Sequence, residues 1–267
     1  MSGTTASVAA ATPAAEPISA GVLVGATALV TGAAGGMGRA ITRALAAAGA
    51  STIYALDRVA ADDDHVDSIV VDLADLDTLA GTIRGLERTP QIVVNAAGYY
   101  AWREGFEIDT ADFTRTFDIN VGAPFVIMRE VARRLEAEGG VADAAFVNIA
   151  SVAAKRGFPN QADYVASKGA LVSLTRAAAQ DLAPRITVNA IAPGTVNTPM
   201  IDQVARDIAA KTGLPFAEQR AALTADIPTG RMQEPNEIAA AVVFLASTGA
   251  RSISGETLAL DGGVSRD

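Results

Sequence analysis

Ala26-Thr-Ala-Leu-Val-Thr31-Gly-Ala-Ala-Gly-Gly-Met-Gly38 is a short apolar run followed at once by closely spaced glycines. The run predicts a buried β-strand, and residues 36–48 carry apolar side chains at helical spacing. The glycines permit a tight turn, and the helix N-terminus would then face a phosphate group. This unit indicates a dinucleotide site, although its G-x-x-x-G-x-G spacing differs from the commoner G-x-G-x-x-G. A plain helix-entry loop is the alternative for the glycines alone.

Short apolar runs and helical patterns alternate along the rest of the chain. Further strands are predicted at 51–56, 68–71, 91–94, 144–149, 186–191 and 257–260. Further helices are predicted at 75–86, 109–138, 162–182, 199–211, 216–225 and 234–247. A break in the helix 109–138 is expected near Gly122-Ala-Pro124. Strands separated by helical lengths imply right-handed crossovers, so we predict one α/β domain, residues 25–267, with a parallel sheet covered on both faces.

Composition excludes several functional classes. The net charge of −9 argues against a nucleic-acid surface. The sequence contains no Cys, which excludes a thiolate nucleophile. It contains only one His, His65, which argues against a metal centre. Residues 1–24, rich in Ala, Ser, Thr and Pro, predict a disordered tail without a secretory signal. No apolar run reaches the roughly 18 residues of a membrane span, so a cytoplasmic protein is expected.

Asp57 bears on the choice of nucleotide. It ends the second predicted strand, where a carboxylate can accept hydrogen bonds from the ribose hydroxyls of adenosine. The same charge would repel a 2′-phosphate. Residue 35 is Gly and offers no compensating base, so only Arg58 could soften this repulsion. The sequence therefore favours NAD over NADP.

Tyr164 and Lys168 lie four residues apart in a predicted helix, on one face and one turn from each other. A cationic Lys beside a phenol favours the phenolate, so the pKa of Tyr164 is expected to fall. A lower pKa would let the phenol act as acid or base nearer neutral pH. An ordinary helix face is the alternative for this pair taken alone.

Several motifs in order resemble the short-chain dehydrogenase/reductase family over about residues 22–264. They are Thr31-Gly-x-x-x-Gly-x-Gly38, Asn95-Ala-Ala-Gly98, Asn120, Ser151, Tyr164-x-x-x-Lys168, Pro193-Gly194 and Asp261-Gly-Gly263. The resemblance implies a single-domain, Rossmann-like, doubly wound fold with a seven-stranded, mostly parallel sheet. It also implies a homotetramer.

The resemblance assigns four catalytic residues. Tyr164 would be the general acid/base toward the substrate oxygen, and Ser151 would hydrogen-bond that oxygen. Lys168 would lower the pKa of Tyr164 and hold the nicotinamide ribose. Asn120 would position a water that continues a proton relay through Lys168.

The resemblance also assigns the cofactor-binding residues. They are Gly32, Gly35, Gly36, Met37, Gly38, Asp57, Arg58, Asp72, Leu73, Asn95, Ala96, Ala97, Gly98, Tyr164, Lys168, Pro193, Gly194, Val196 and Thr198. Among these, Asp72 and Leu73 would flank the adenine. Val196 and Thr198 would lie near the carboxamide.

The expected reaction is NAD-dependent interconversion of a secondary alcohol, cyclic, polyol or dihydrodiol, and its ketone. Tyr99, Tyr100 and Trp102 are candidate pocket residues for this small-molecule partner, or surface aromatics that support a loop. Positions 103, 155 and 156 hold cations that could meet a substrate carboxylate, or form a solvated edge. A ketoreductase of the 3-oxoacyl-[acyl-carrier-protein] type is the rival enzyme. A non-catalytic dinucleotide sensor is the alternative from another class.

Overall fold

Seven parallel strands form one sheet in the order β3-β2-β1-β4-β5-β6-β7. The computed structural model describes residues 21–100, 103, 106–139 and 144–265. The strands are β1 (Thr27–Thr31), β2 (Thr52–Asp57), β3 (Asp67–Val70), β4 (Ile92–Asn95), β5 (Ala144–Ile149), β6 (Ile186–Pro193) and β7 (Thr257–Leu260). The predicted seven-stranded sheet is confirmed, and each predicted strand begins within one residue of the observed one.

Helices cover both faces of this sheet, as predicted for a doubly wound α/β fold. They are α1 (Gly36–Ala47), α2 (Leu76–Arg84), α3 (Thr110–Phe117), α4 (Ala123–Ala137), α5 (Ala162–Asp181), α6 (Pro199–Thr212), α7 (Phe216–Ala225) and α8 (Pro235–Ala246). Helices α1 and α8 pack together on one face, and α2 and α4 on the other. All five residues of β1 are buried because β1 lies at the centre of this sandwich.

The strand order reverses between β1 and β4. β1 pairs with β2 on one side and with β4 on the other, although β2 and β3 precede β4 in the chain. The connections that follow β1 and β4 therefore diverge and leave a crevice at the carboxyl ends of these strands. Ligands bind to open α/β sheets at such a crevice.

The predicted helix 109–138 differs from the observed structure. At the predicted break near Gly122-Ala-Pro124, a π-helical turn (Asp118–Gly122) joins α3 to α4. Pro124 lies in the first turn of α4, where its missing N–H costs no hydrogen bond. The π-helical turn matters for function because single π turns occur frequently at functional sites.

The ordered fold begins before residue 25, so the predicted boundary lies slightly too late. Leu23 is buried in the core, and its N–H donates to the carbonyl of Ala48 at 2.9 Å. The composition of residues 1–24 gave no sign that Leu23 packs into the core. Residues 1–20 of the predicted tail lie outside the described residues. Within the described part of the chain, no helix is long and apolar enough to cross a membrane.

Candidate active site

The glycine turn between β1 and α1 forms one wall of the crevice. Gly32 has φ of +67°, a conformation that favours glycine. A Cβ atom on Gly38 would lie only 2.0 Å from the carbonyl oxygen of Gly32. The chain can therefore fold back so tightly only without side chains at these two positions. The result is an exposed helix N-terminus at the carboxyl end of β1.

A cavity of about 420 Å³ lies against this turn. The residues that line it and that the family resemblance assigned to the cofactor are Gly32, Gly35, Gly36, Met37, Gly38, Asp57, Arg58, Asp72, Leu73, Ala96, Ala97, Gly98 and Thr198. These residues come from the turn after β1 and the start of α1, from the end of β2 and the residue after it, and from the segments after β3, β4 and β6. The cavity thus follows the carboxyl edge of the sheet.

Some lining residues were absent from the predicted set: Ala34, Val59, Tyr99, Ile119, Pro199 and Met200. Most of these adjoin predicted positions, so proximity in sequence could have identified them. Ile119 adjoins Asn120, which was predicted as a catalytic residue. It belongs to the π-helical turn, which brings it to the cavity from a distant part of the chain.

Six predicted cofactor residues do not line the cavity in this structure; two of them are Tyr164 and Lys168 of α5, and the other four are Asn95, Pro193, Gly194 and Val196. Asn95 is buried, and its side-chain amide donates to Asn148 Oδ1 at 2.8 Å inside the sheet. Pro193 is the buried last residue of β6. Gly194 packs tightly, because a Cβ there would lie 2.9 Å from Asp261 Cα. Val196 is buried and bridges to residue 233. These four residues support the cavity wall from behind.

Asp57 ends β2 and is fixed against the glycine turn. Its Oδ2 accepts the N–H of Ala34 at 3.0 Å, and its Oδ1 accepts the N–H of Arg58 at 2.7 Å. Each carboxylate oxygen keeps a second acceptor position. The arrangement places a preoriented negative charge on the cavity wall, suited to vicinal hydroxyl groups rather than to a phosphate.

Asp72 lies on the same wall beyond β3. A hydrogen bond from the Ala74 N–H outweighs burial and lowers the pKa of Asp72, with a further contribution from Arg115. Arg115 Nη2 lies 3.2 Å from Asp72 Oδ2. This ion pair ties the loop after β3 to α3.

Tyr164 and Lys168 lie one turn apart on α5, as the spacing predicts. Lys168 is 3% exposed, and its Nζ donates to the carbonyl of Ile149 at 2.8 Å. The same Nζ lies 5.7 Å from the centroid of the Tyr164 ring. A Cβ on Gly98 of the cavity wall would lie 3.6 Å from this Nζ. The lysine thus lies between the phenol and the cavity.

Ser151 completes the cluster. It precedes the short 3₁₀ turn Val152–Ala154, and its Oγ accepts the N–H of Ala153 at 3.1 Å. Ser151 also lies close enough to Tyr164 for its hydroxyl to lower the pKa of the phenol. β5 delivers Ser151, and α5 delivers Tyr164 and Lys168.

The expected lowering of the pKa of Tyr164 is wrong for the structure without cofactor. Burial raises the pKa of Tyr164 above its ordinary value, and the hydrogen bond with Ser151 opposes this only in part. Burial also lowers the pKa of Lys168, to about 8. The spacing in the sequence shows a cation beside a phenol but does not reveal burial. Burial disfavours the charged form of each group.

Asn120 lies in the π-helical turn and is fully buried. Its Oδ1 accepts the N–H of Tyr99 at 2.7 Å, and its Nδ2 donates to the Tyr99 carbonyl at 3.0 Å and to Ser167 Oγ at 2.9 Å. The side chain therefore clamps the loop after β4 onto α5. Any water held by Asn120, as the resemblance implied, would have to be bound through its backbone carbonyl.

The loop after β4 carries the aromatic residues predicted for the substrate side. The Tyr100 ring meets the Tyr164 ring edge to face, with centroids 5.4 Å apart and an interplanar angle of 84°. Arg103 is engaged in an ion pair with Asp112. Arg156 lies over the ring of Phe158, 4.6 Å from its centroid. A substrate carboxylate would have to compete with these contacts. Trp102 lies outside the described residues.

Helices α6 and α7 stand over this side of the site. Arg220 of α7 donates to Asp202 of α6 at 2.8 Å and to Asn197 Oδ1 at 2.6 Å. Asn197 in turn donates to Glu234 at 3.0 Å.

Among the residues that the structure describes, no group of three or more acidic, His or Cys side chains could hold a metal ion.

Comparisons with known proteins agree with this geometry. A family model described as enoyl-(acyl carrier protein) reductase matches residues 32–265. The chain is 34% identical to 3-oxoacyl-[acyl-carrier-protein] reductase FabG of Rickettsia bellii, over 91% of this chain and 98% of that protein. It is 35% identical to L-xylulose reductase of Bos taurus, over 90% of this chain and 97% of that protein.

Solved structures give the same picture. A protein assigned as an NAD(P)-dependent gluconate 5-dehydrogenase from Beutenbergia cavernae, with NADP bound at low occupancy, superposes with a TM-score of 0.81 and 36% identity. The match covers 91% of this chain and 97% of that one. A 4-hydroxyisoleucine dehydrogenase complexed with NADH gives a TM-score of 0.76 and 27% identity, covering 90% and 98% of the two chains.

Proposed function

Because the chain belongs to the short-chain dehydrogenase/reductase family of oxidoreductases that act on CH–OH groups, we propose that it interconverts a secondary alcohol and its ketone with NAD(H). One observation carries this proposal: a Ser151–Tyr164–Lys168 cluster, in which Lys168 is buried and the other two residues are half-buried, adjoins a cavity whose wall contains the glycine turn and Asp57. Such a cluster beside a dinucleotide cradle can move a proton at the point where a carbinol is oxidised.

The cavity suits a nicotinamide dinucleotide. The turn at Gly32 and Gly38 has no space for side chains, so backbone N–H groups at the start of α1 can approach a pyrophosphate. Asp57 would accept the adenosine ribose hydroxyls, and Asp72 and Leu73 would flank the adenine. When bound, the nicotinamide would take up a hydride in oxidation and supply it in reduction.

The Asp57 carboxylate supports NAD as the nucleotide. It is held rigidly by two backbone N–H groups, so it cannot easily turn away from a 2′-phosphate. Arg58 lines the same cavity and would offset part of the repulsion. Structural relatives include proteins with NADP and with NADH bound, so relatives alone do not select between the two nucleotides.

In this proposal Tyr164 transfers the proton. In reduction, the protonated phenol donates to the oxygen of the ketone. In oxidation, the phenolate accepts the hydroxyl proton of the alcohol. Burial keeps the phenol protonated at neutral pH, which suits the reductive direction. Oxidation requires the phenolate and would therefore accelerate as the pH rises.

The neighbours of Tyr164 have distinct roles in the proposal. The Ser151 hydroxyl would hydrogen-bond the substrate oxygen and stabilise the charge that develops on it. Lys168, with a pKa of about 8, would hold the nicotinamide ribose and pass protons to or from the phenol. Asn120 would keep the loop after β4 in place through its bonds to Tyr99.

Two alternatives make different predictions. A ketoreductase for acyl-carrier-protein thioesters is suggested by the likeness to FabG, but the net charge of −9 disfavours docking of an acidic carrier. A non-catalytic sensor would need no acid/base cluster, yet Ser151, Tyr164 and Lys168 are assembled beside the cavity.

A substrate panel tests the proposal. Cyclic alcohols, polyols and dihydrodiols would be incubated with NAD and, separately, with NADP, and the absorbance of the reduced cofactor followed. A 3-oxoacyl thioester with NADH or NADPH would test the alternative, a ketoreductase for acyl-carrier-protein thioesters. The proposal predicts turnover of an alcohol with NAD. Turnover confined to the thioester with NADPH would contradict it.

The assembly is also a proposal. We expect a homotetramer, as the family resemblance implies, and apolar side chains such as Phe125, Phe244 and Leu258 are exposed on the single chain. Sedimentation velocity at micromolar concentration would show a species near four times 27.2 kDa. A monomer would contradict this expectation.

A further inference from the structure

Tyr100 is held in place beside Tyr164, the proposed acid/base. The backbone of its neighbour Tyr99 is clamped at both N–H and C=O by Asn120, so the start of the loop after β4 is held in place. The Tyr100 ring packs edge to face on Tyr164, with centroids 5.4 Å apart. The Tyr100 ring is therefore in direct contact with the ring of the proposed acid/base.

The hydroxyl of Tyr100 is buried and has no hydrogen-bond partner within the part of the chain that the structure describes. Buried polar atoms are nearly always paired, and an unpaired one destabilises the fold. Exceptions are informative when they lie beside a functional site. Tyr54 shows the ordinary arrangement in the same chain, since its hydroxyl accepts the N–H of Arg88 at 2.9 Å.

The groups that face Tyr100 keep its phenol protonated, so the hydroxyl can donate a hydrogen bond to an uncharged ligand. Burial raises the pKa of Tyr100, and Asp207 of α6, Tyr164 and Asp163 of α5 raise it further. The phenol therefore remains protonated and can donate its proton to an acceptor oxygen. Two carboxylates near the same place would repel a substrate that carries its own carboxylate.

We propose that Tyr100 is a specificity-determining residue whose hydroxyl donates a hydrogen bond to a second oxygen of the substrate, near the reacting carbinol carbon. This rests on the proposed function and narrows its substrate class to uncharged diols and polyols and the corresponding hydroxyketones. Simple monoalcohols and hydroxy acids would be poorer substrates. A site with a buried donor rejects an analogue that leaves the donor unpaired.

The test compares Tyr100→Phe with the wild type on matched substrates. These are the best diol or polyol of the panel and the same compound without its second hydroxyl group. The wild type should prefer the diol in kcat/KM. Tyr100→Phe should reduce this preference about tenfold, chiefly by slowing the diol, because one hydrogen bond to the second oxygen is lost. Tyr54→Phe removes a buried phenol hydroxyl far from the site and should keep the wild-type preference.

The outcomes separate this inference from the proposed function. If no alcohol is oxidised with NAD or NADP, the proposed function fails and this inference fails with it. If the wild type is active but Tyr100→Phe keeps the same diol preference, only the inference fails.

A folding control strengthens the test. Because the hydroxyl has no hydrogen-bond partner among the described residues, the urea midpoint of Tyr100→Phe should equal or exceed that of the wild type. A lower midpoint together with an unchanged preference would show a structural partner for the hydroxyl and would overturn the proposal.

Discussion

Lys168→Met is predicted to stabilise the cofactor-free protein while it abolishes catalysis. Lys168 is 3% exposed, and burial lowers its pKa from 10.5 to about 8. The folded state therefore disfavours the charged lysine by about 3 kcal/mol. Met fills a similar volume without a charge but loses the hydrogen bond to Ile149, which costs about 1 kcal/mol. At pH 7 the variant should gain about 2 kcal/mol in free energy of unfolding.

The pH dependence identifies the cause. The folded pKa of Lys168 is depressed, so below pH 8 the folded state carries the whole penalty for the charged form. The penalty is relieved as the pH rises from about 8 to 10.5, because the folded protein releases the proton first. Between pH 7 and pH 9 the wild type should therefore gain about 1 kcal/mol relative to Lys168→Met.

Urea unfolding at pH 7 and pH 9, at one fixed protein concentration, measures this double difference. Lys211→Met is the matched control, because Lys211 is exposed on α6 and its loss removes no buried charge. A Lys168→Met variant that is less stable than the wild type at pH 7, with a difference that does not change at pH 9, would refute the reasoning.

Three further substitutions test separate parts of the account. Asp57→Ser should raise kcat/KM for NADP about tenfold to hundredfold, because like charges about 5 Å apart repel by about 3 kcal/mol at a protein surface; the exposed Asp62→Ser should not. Asn120→Ala should lower the free energy of unfolding by about 2–4 kcal/mol, since it leaves the Tyr99 N–H unpaired, and equal urea midpoints would contradict this. Gly38→Ala should abolish detectable NAD binding in calorimetry, because its Cβ would lie 2.0 Å from a backbone oxygen, whereas Gly81→Ala, with open space, should bind normally.

Much of the fold could be predicted because its signals are local. Each strand is a short apolar run, and two helices, α2 and α3, begin at an Asp whose side chain caps the helix, as at Asp75, which accepts the Thr78 N–H. The position of Asp57 at the end of β2 follows from the same pattern. Leu23 was missed because the apolar run Val22-Leu-Val24 is too short to show periodicity.

The details of the site depend on contacts between distant residues. The partners of Asn120 are the backbone of Tyr99 and the hydroxyl of Ser167, 21 and 47 positions away. Asn95 is drawn inside the sheet by Asn148, 53 positions along the chain. The direction in which the pKa of Tyr164 shifts depends on burial, and the spacing of Tyr164 and Lys168 does not reveal burial. For the same reason, the unpaired hydroxyl of Tyr100 became apparent only in three dimensions.

The most direct test of the account compares Tyr164→Phe with the wild type in one preparation series. NAD affinity would be measured by calorimetry, and turnover of the best panel alcohol by absorbance of the reduced cofactor. If Tyr164 carries the proton, NAD affinity stays within about threefold, while kcat falls by about a thousandfold, within the range for loss of a general acid/base. A variant that binds NAD normally and retains more than about a tenth of wild-type turnover would contradict the account.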